Sequence, residues 1–509
     1  MKPSTELFDL IKSLSKSEKR FFKLSSSLQT GEKNYLKIFD AIEKQSSYDE
    51  GELKEQFKNE TFVQHFPSEK NHLYKLILKS LRNYHSDNSI NSLLKQEIKN
   101  VEILYNKALF KECNKFLNRA KKQAIENEKF YFLFELISWE KLLLEEAFED
   151  GHFNKDLDVL IDEEQQVIKK LQNLAEYHVL YSKINYVFRS EGFSRGPEDI
   201  RIVEEIEQHP LIKGKNTALS KRAATICYYT QGFCAMANSR TDLALEKFAR
   251  VKSIMDENLR IKRDLPKRYV RTIAQIINCQ IDLSKHNDAL SMIKDLKSLG
   301  SLREFSSIDI KNNIFKSSAL AELQLLNKQG DFNEASERLL VILPEIEILE
   351  NRLRKEQLLE LYFTVAYTFF GSKEPNKALF WINKVLNDNE SSLRKDLFSY
   401  ARLFNLAIHY ELENFDLLEY ITKSTQRYLA RRQRDYDLEK LVIEHVRKLI
   451  RTNDATKLKA KLQKFQSVLT SQIVEPEDKI LLKYFDFISW LDSKIKACDF
   501  SDSVRAVSA

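Results

Sequence analysis

The architecture of this chain can be worked out from one stretch, Gly330-Asp331-Phe332-Asn333-Glu334-Ala335-Ser336-Glu337-Arg338-Leu339-Leu340. Gly330 suits the end of one helix, and Asp331 or Asn333 can cap the free backbone N–H groups of the next. Ala335 and Leu339 then share an apolar face of that second helix. The stretch therefore predicts a tight turn between two amphipathic helices.

Versions of this stretch recur along the chain. The positions that align with Ala335 are, in chain order, Cys113, Asp156, Ile200, Ala244, Ala289, Ala378 and Leu418, which gives a period of 40–46 residues. One period has room for two helices of about 15–20 residues and two short turns. A period of this size is typical of an α-solenoid, in which each unit buries its apolar stripe against the next.

The composition supports an all-α fold. The 509 residues include only 10 Gly and 8 Pro, whereas average usage would give about 35 and about 25. Hairpins and phosphate-binding loops need glycine, so its scarcity argues against sheets and α/β folds. Hydrophobic residues make up 43% of the chain and charged residues 31%, which provides for both a core and a solvated face.

The net charge and the cysteines indicate the compartment of the protein better than they indicate its partner. The formal charge is +6, which is small for a protein that binds polyanions along its length. The five cysteines form no CxxC pair, as expected in a reducing compartment. The sequence contains no run of 18 apolar residues, so we predict no membrane span, and the N-terminus does not have the pattern of a signal peptide. We expect a cytoplasmic protein with no membrane partner.

Four regions follow from the pattern. Residues 1–90 predict a helical N-terminal domain, in which Ser15 and Glu18 form a capping box before the second helix. Residues 91–470 form the repeat array. Residues 471–498 predict an apolar capping helix that starts at Pro476 and either packs across the last repeats or forms a homodimer contact. Residues 499–509 predict a disordered tail.

Two units resemble the tetratricopeptide repeat (TPR). In that family a small residue of the first helix packs against the alanine of the second. Gly232 precedes Ala244 by twelve residues, with Phe248 one turn further on, and Ala366 precedes Ala378 in the same way. The resemblance covers about residues 93–465, although the units are longer than the family's 34 residues. It implies a right-handed α-solenoid of TPR-like hairpins that binds a protein or peptide on its concave face.

The sequence contains no recognisable catalytic, cofactor or metal motif. The loop with Gly192 and Gly196 lacks the Lys-Ser/Thr pair of a phosphate-binding loop. It does place Arg195 near the predicted concave surface, as a candidate ligand contact. The nine histidines form neither HxxxH nor HExxH, so we predict no metal site. We assign no catalytic residue and expect no cofactor and no enzyme activity.

Two groups of basic residues are candidate binding sites, although both can also be solvated helix faces. Arginine beside an aromatic ring can hold phosphate or the acidic end of a peptide. The first group, near the C-terminal repeats, consists of Arg427, Tyr428, Arg431, Arg432 and Arg434. The second group lies on one helix of the N-terminal domain and consists of His72, Lys75, Lys79 and Arg82.

The sequence therefore predicts a non-enzymatic cytoplasmic scaffold that binds a protein or peptide along the solenoid. The alternative is a regulator, in which the N-terminal domain binds nucleic acid through the His72/Lys75/Lys79/Arg82 face and the repeats sense a ligand. A hydrolase or transferase has no motif in its support.

Overall fold

The computed structural model describes residues 4–27, 33–86, 89–147, 157–190, 196–350, 352–389, 394–452, 454–475 and 478–508. Over these ranges the chain forms 27 α-helices and three short 3₁₀ helices, without a strand. The fold is all-α and built from consecutive helical hairpins, as the sequence predicts. The chain divides into two compact units, Met1–Val167 and Ile168–Ala509.

The first unit contains a compact five-helix bundle followed by a hairpin. Its helices are α1 (Glu6–Ser13), α2 (Lys16–Ser27), α3 (Asn34–Lys44), α4 (Glu50–Gln56), α5 (Phe66–Tyr84), α6 (Ile90–Asn106), α7 (Phe110–Glu126), α8 (Phe130–Ala147) and the start of α9 (Leu157–Ser190). The predicted capping box is confirmed, because Glu18 accepts from the backbone N–H of Ser15 at 2.7 Å and Ser15 accepts from that of Glu18 at 3.3 Å. Helices α1–α5 share one core, around Ile38, Phe39 and Phe66.

The second unit continues with hairpins in strict succession. Its helices are α10 (Pro197–Gln208), α11 (Pro210–Lys213), α12 (Lys221–Ala237), α13 (Thr241–Glu257), α14 (Leu259–Asp264), α15 (Pro266–Asp282), α16 (His286–Ser298), α17 (Ile308–Gln329), α18 (Phe332–Leu349), α19 (Lys355–Gly371), α20 (Pro375–Leu386), α21 (Lys395–Glu411), α22 (Phe415–Arg431), α23 (Asp437–Ile450), α24 (Ala455–Gln472), α25 (Ile480–Tyr484), α26 (Phe487–Lys496) and α27 (Phe500–Ser508). The hairpins are α12/α13, α15/α16, α17/α18, α19/α20, α21/α22 and α23/α24.

The 40–46-residue ladder marks the second helix of successive hairpins. Cys113 lies in α7, Ala244 in α13, Ala289 in α16, Ala378 in α20 and Leu418 in α22. Each of these five side chains is fully buried, as is Ala335 in α18. Small or apolar side chains at these positions let the two helices of a hairpin approach closely. Ile200 in α10 is half-buried, and Asp156 lies outside the described residues.

The turn at residue 330 behaves as predicted except for its cap. Gly330 has φ +76°, the left-handed conformation that ends α17, which glycine adopts without strain. A Cβ at this position would lie 2.8 Å from Ser501 O and from Arg505 Cγ. Asp331 occupies the N-cap position of α18 without a side-chain capping bond. Its carboxylate instead accepts a hydrogen bond from Arg505 at 3.2 Å. The residue that the sequence predicts as a helix cap therefore binds the C-terminal helix α27.

The small residue of the TPR-like pattern packs as the resemblance implies. A Cβ added to Gly232 on α12 would lie 2.7 Å from the ring of Phe248 on α13. The ring of Phe248 is fully buried, and Tyr229 contacts it at 5.5 Å between centroids. Glycine at this position therefore makes room for an aromatic side chain of the second helix.

Two expectations for the C-terminus are wrong. The single helix predicted over 471–498 is divided, since α25 ends at Tyr484, Phe485 is extended with φ −147° and ψ 129°, and α26 begins at Phe487. The segment expected to be a disordered tail contains α27 over Phe500–Ser508, because Phe500 packs on the ring of Phe332 at 5.4 Å. The predicted start at Pro476 lies outside the described residues. The predicted boundary at residue 90 also differs from the division into units after Val167.

Candidate docking surface

The first helices of successive hairpins in the second unit lie side by side. Helix α15 contacts α17, α17 contacts α19, and α19 contacts α21. Between α17 and α19, Gln357 donates to Asn313 at 3.3 Å, Lys316 donates to Glu360 at 2.9 Å, and Asn327 donates to Thr368 at 3.0 Å. These partners are 44, 44 and 41 residues apart, which is one repeat period, so the two helices are parallel. We call α15, α17, α19 and α21 the first-helix layer.

The C-terminal segment, residues 478–508, covers the C-terminal part of this layer. The ring of Tyr484 stacks on Tyr400 at 4.3 Å, and that of Phe485 stacks on Phe404 at 4.6 Å. Phe500 reaches Phe370 near the end of α19 at 5.5 Å. At the edges of the segment, Lys483 pairs with Asp282 at the end of α15, Lys494 with Glu411 at the end of α21, and Arg505 with Asp331 just after α17. The apolar residues of this segment therefore belong to the core of their own chain.

One buried ionic group fastens the segment to the start of α21. The carboxylate of Asp396, which is 1% exposed, accepts from Arg394 Nε at 3.0 Å and from Arg394 Nη2 at 2.9 Å. It also accepts a hydrogen bond from the hydroxyl of Tyr484. Burial opposes the charge on Arg394, but Asp396 and the more distant Glu360 raise the pKa of its guanidinium. The start of α21 is thus held to the segment both by this ionic group and by the stacking of Tyr484 on Tyr400.

Helix α15 carries two arginines at its N-terminal end that form no ion pair with the described residues. Arg268 and Arg271 are half-buried, and neither side chain forms an ion pair or a hydrogen bond with any residue in the described ranges. Desolvation lowers the pKa of the Arg268 guanidinium, and the charges of Arg222 and Arg271 lower it further. Gln275 and Asn278 continue the same half-buried face. We call Arg268 and Arg271 the α15 arginine pair.

Further cations gather beside this pair. Arg354, just before α19, pairs with Glu356 at 2.8 Å, and Arg189 at the end of α9 pairs with the same carboxylate at 3.3 Å. Desolvation lowers the pKa of Arg354, and so do the charges of Arg271 and Arg189. The backbone N–H of Arg394 donates to the carbonyl of Arg189 at 3.1 Å. The end of α9 therefore meets the starts of α19 and α21 at a surface that is rich in arginine.

The predicted basic group on α22 is less uniform than its sequence suggests. Arg427, Arg431 and Arg432 are exposed, whereas Arg434 is 6% exposed. The ring of Tyr428 is half-buried and lies under the guanidinium of Arg402 at 4.1 Å, with Arg432 at 5.8 Å. Tyr428 thus already stacks with arginines of its own chain. The remaining candidate, Arg195, lies outside the described residues.

The predicted face of the N-terminal bundle is exposed along α5. His72, Lys75, Lys79 and Arg82 all point to solvent, and the three cations Lys75, Lys79 and Arg82 form no ion pair within the described part of the chain. His72 meets the edge of Tyr35 at 6.0 Å. The spacing of the four residues keeps them on one side of the helix.

A second cationic surface of the bundle lies on α2, next to α5. It forms a shallow cavity of about 460 Å³, lined by Lys16, Lys19, Arg20, Lys23, Leu24 and Glu43. Two of its lysines are neutralised, since Lys19 and Lys23 pair with Glu43 at 3.1 and 2.9 Å. The cavity is therefore a weaker anion site than its four cations suggest.

Other chemistry finds no support in the described residues. They contain no group of three His, Cys, Asp or Glu side chains that could hold a metal ion. Four cysteines are buried and Cys498 is exposed; burial raises the pKa of the Cys113 thiol to about 11, which makes it a poor nucleophile. No described helix is both long and apolar enough to cross a membrane.

Sequence reasoning did not find the α15 arginine pair. One signal was available, because the stretch 266–281 contains no acidic residue that could neutralise Arg268 or Arg271 within its own helix. Neutralisation by a neighbouring helix depends on contacts one repeat period away. The sequence alone does not show which of those contacts form.

Comparisons with known proteins add little to these observations. No protein-family model matches the chain, and no curated protein matches it. Among solved structures, the chain is similar to a Rap protein complexed with competence and sporulation factor. The two are 11% identical with a TM-score of 0.44, and the match covers 76% of this chain and 99% of that one.

Proposed function

We propose that this chain is a non-enzymatic, cytoplasmic scaffold of TPR-like hairpins that binds a protein or peptide on the first-helix layer. The observation that carries the proposal is the half-buried polar face of α15, formed by Arg268, Arg271, Gln275 and Asn278. A helix packed into a layer normally pairs the charges that it half-buries. A helix face whose charged side chains are partly desolvated but form no ion pair is typical of a surface that binds a partner.

The C-terminal segment supports the same location. It covers the aromatic C-terminal part of the layer, where Tyr400 and Phe404 lie beneath Tyr484 and Phe485. A partner is therefore left with the N-terminal part, where side chains can provide hydrogen bonds and charge. Extended peptides and partner helices are both recognised by such combinations of shallow surface and fixed polar groups.

A photo-crosslinking experiment tests this location without altering the arginines. A benzoylphenylalanine at Asn278, on the half-buried face of α15, should capture a discrete protein or peptide from cell extract. The same probe at Arg250, which is exposed on α13, serves as the matched control. Adducts that are absent at position 278, or that are the same at both positions, would refute docking on α15.

A second candidate function concerns the N-terminal bundle and its binding of nucleic acid. The observation in its favour is that Lys75, Lys79 and Arg82 on α5 are exposed and unpaired within the described residues, as phosphate contacts need to be. A mobility-shift titration of the full chain with duplex DNA tests it. Binding should weaken as salt rises and should be lost in a Lys75→Gln/Lys79→Gln variant; unchanged binding by that variant would exclude this face.

A further inference from the structure

The acidic side chains around the α15 arginine pair are already engaged. Asp264, just before α15, pairs with Arg222 of α12. Asp309 at the start of α17 pairs with Lys267 at 2.6 Å, and Glu356 at the start of α19 pairs with Arg354 at 2.8 Å. Each of these three carboxylates thus has its own cation, whereas Arg268 and Arg271 form no ion pair within the described residues.

This arrangement fits an anionic ligand better than a structural role. A guanidinium offers five N–H donors, and leaving them partly desolvated without acceptors costs free energy. Two arginines one turn apart on α15 can hold carboxylates in bidentate geometry. The hydroxyls of Tyr181 and Tyr229, whose rings lie 5.6 Å apart, oppose the effect of burial and raise the pKa of the Arg268 guanidinium.

The same surroundings favour a polypeptide over a nucleic acid. A phosphodiester chain needs a long track of unpaired cations, whereas the α15 arginine pair offers two. The nearby carboxylates of Asp309 and Glu356 would repel a continuous polyanion but tolerate one or two carboxylates placed on the arginines. The amides of Gln275 and Asn278 on the same face both donate and accept hydrogen bonds, which suits a peptide backbone.

We propose that the α15 arginine pair binds the side-chain carboxylates of an acidic polypeptide segment. The proposal deepens the scaffold function and rests on it, since it names the chemistry of the partner that docks on the first-helix layer. Arg268 and Arg271 hold the carboxylates, and the α15 face beyond them contacts the backbone of the bound segment.

Fluorescence anisotropy with the full chain at low salt tests the proposal. The probe is hexaglutamate with a C-terminal amide and an uncharged BODIPY dye on its N-terminal amine, so that only the side chains carry charge. The Arg268→Gln/Arg271→Gln variant should bind it about 100-fold more weakly, about tenfold for each charge-assisted contact. The matched control is Arg250→Gln/Arg338→Gln, which removes the same charge from exposed positions on α13 and α18 and should change affinity less than threefold.

Three comparison probes identify the recognised group. Hexaglutamine amide should bind at least tenfold more weakly than hexaglutamate. If hexaglutamine with a free C-terminus bound more tightly than hexaglutamate amide, the site would recognise a chain end and the proposal would be overturned. If hexathymidylate bound more tightly than hexaglutamate amide, the site would be a nucleic-acid site, which would also overturn it. Equal losses in both double variants, or no binding of hexaglutamate, would also overturn it.

Two further controls test whether the variants fold and whether the wider scaffold function holds. The Arg268→Lys/Arg271→Lys variant keeps both charges and should retain binding within about tenfold, which separates loss of charge from loss of structure. If hexaglutamate fails to bind while crosslinking at Asn278 still succeeds, the acidic ligand is wrong and the scaffold function stands. If crosslinking also fails, both are wrong.

Discussion

Replacing Asp396 tests whether the C-terminal segment is fastened by charge. In the Asp396→Ala variant Arg394 loses its bidentate partner, which sits at 3.0 and 2.9 Å. Its nearest remaining carboxylate is Glu360 at 3.9 Å. The hydroxyl of Tyr484 loses its acceptor at the same time. We expect the segment to loosen before the rest of the second unit unfolds.

The expected loss of unfolding free energy follows from the buried groups that each substitution leaves without a partner. Removing one partner of a buried ion pair costs about 3–5 kcal/mol, because the other charge stays desolvated. Glu360 offsets part of this cost, so we expect about 3 kcal/mol for Asp396→Ala. Tyr484→Phe removes one hydrogen bond to a charged group, worth about 1.5–3 kcal/mol, and keeps the ring on Tyr400. Since both act on one carboxylate, the double variant should cost less than the sum.

Trp490 provides the assay. This residue belongs to the C-terminal segment, and its indole N–H donates to Glu411 at the end of α21 at 2.7 Å. Its fluorescence therefore reports release of the segment in urea once Trp139 and Trp381 are replaced by Phe. Asp416→Ala, at an exposed carboxylate of α22, is the control and should cost under about 0.5 kcal/mol. The reasoning would be refuted if the losses of unfolding free energy of Asp396→Ala and Tyr484→Phe added up in the double variant. A loss for Asp396→Ala no larger than that of Asp416→Ala would refute it as well.

Three further predictions concern other parts of the chain. Burial would raise the pKa of Glu50, but hydrogen bonds from two lysines and a tyrosine lower it to about 2; this group should therefore contribute a loss of up to about 3 kcal/mol as pH falls from 4.5 to 2. Glu50→Gln should reduce the acid dependence of hydrogen exchange in α3 and α5, and the part that remains comes from Glu18 and Glu43, whose pKa values are also lowered. Gly232→Ala should lower the unfolding free energy by about 1–3 kcal/mol because its Cβ meets Phe248, whereas Gly300→Ala, with no atom within 4 Å of its Cβ, should not; thermal unfolding distinguishes them. Lys121→Ala removes the cation that pairs with both Glu140 and Glu163 and should cost about 3–5 kcal/mol in urea unfolding; a loss below about 1 kcal/mol would contradict burial of this ion pair.

The features that the sequence predicts well are set by residues close together along the chain. The capping box at Ser15 and Glu18, the left-handed turn at Gly330 and the buried ladder at Ala335 each depend on positions within a few residues of one another. The period of the ladder follows from repetition of such local patterns. For this reason the all-α repeat fold could be derived before any contact was known.

The features that the sequence does not predict depend on distant partners. No Gly or Pro lies near Phe485, yet α25 and α26 separate there, where the ring packs on Phe404 and Asp486 caps α26 by accepting from the backbone N–H of Ser489. Helix α27 depends likewise on Phe332, which lies 168 residues earlier in the chain. Asp331 has the side chain of a helix cap, but Arg505 reaches it instead. For α27 and for Asp331, contacts that only the folded chain provides override the local propensity.

The division of the first-helix layer has a consequence for any partner that docks there. Apolar burial is the main source of affinity in most interfaces, but the aromatic part of this layer is already closed by Tyr484, Phe485 and Phe500 of the same chain. A partner can therefore gain little from apolar contact and must rely on the arginine-rich part around α15. Interactions between partly exposed charges are screened by salt. Binding to this layer should weaken steeply between low and physiological ionic strength, which binding through a hydrophobic groove would not do.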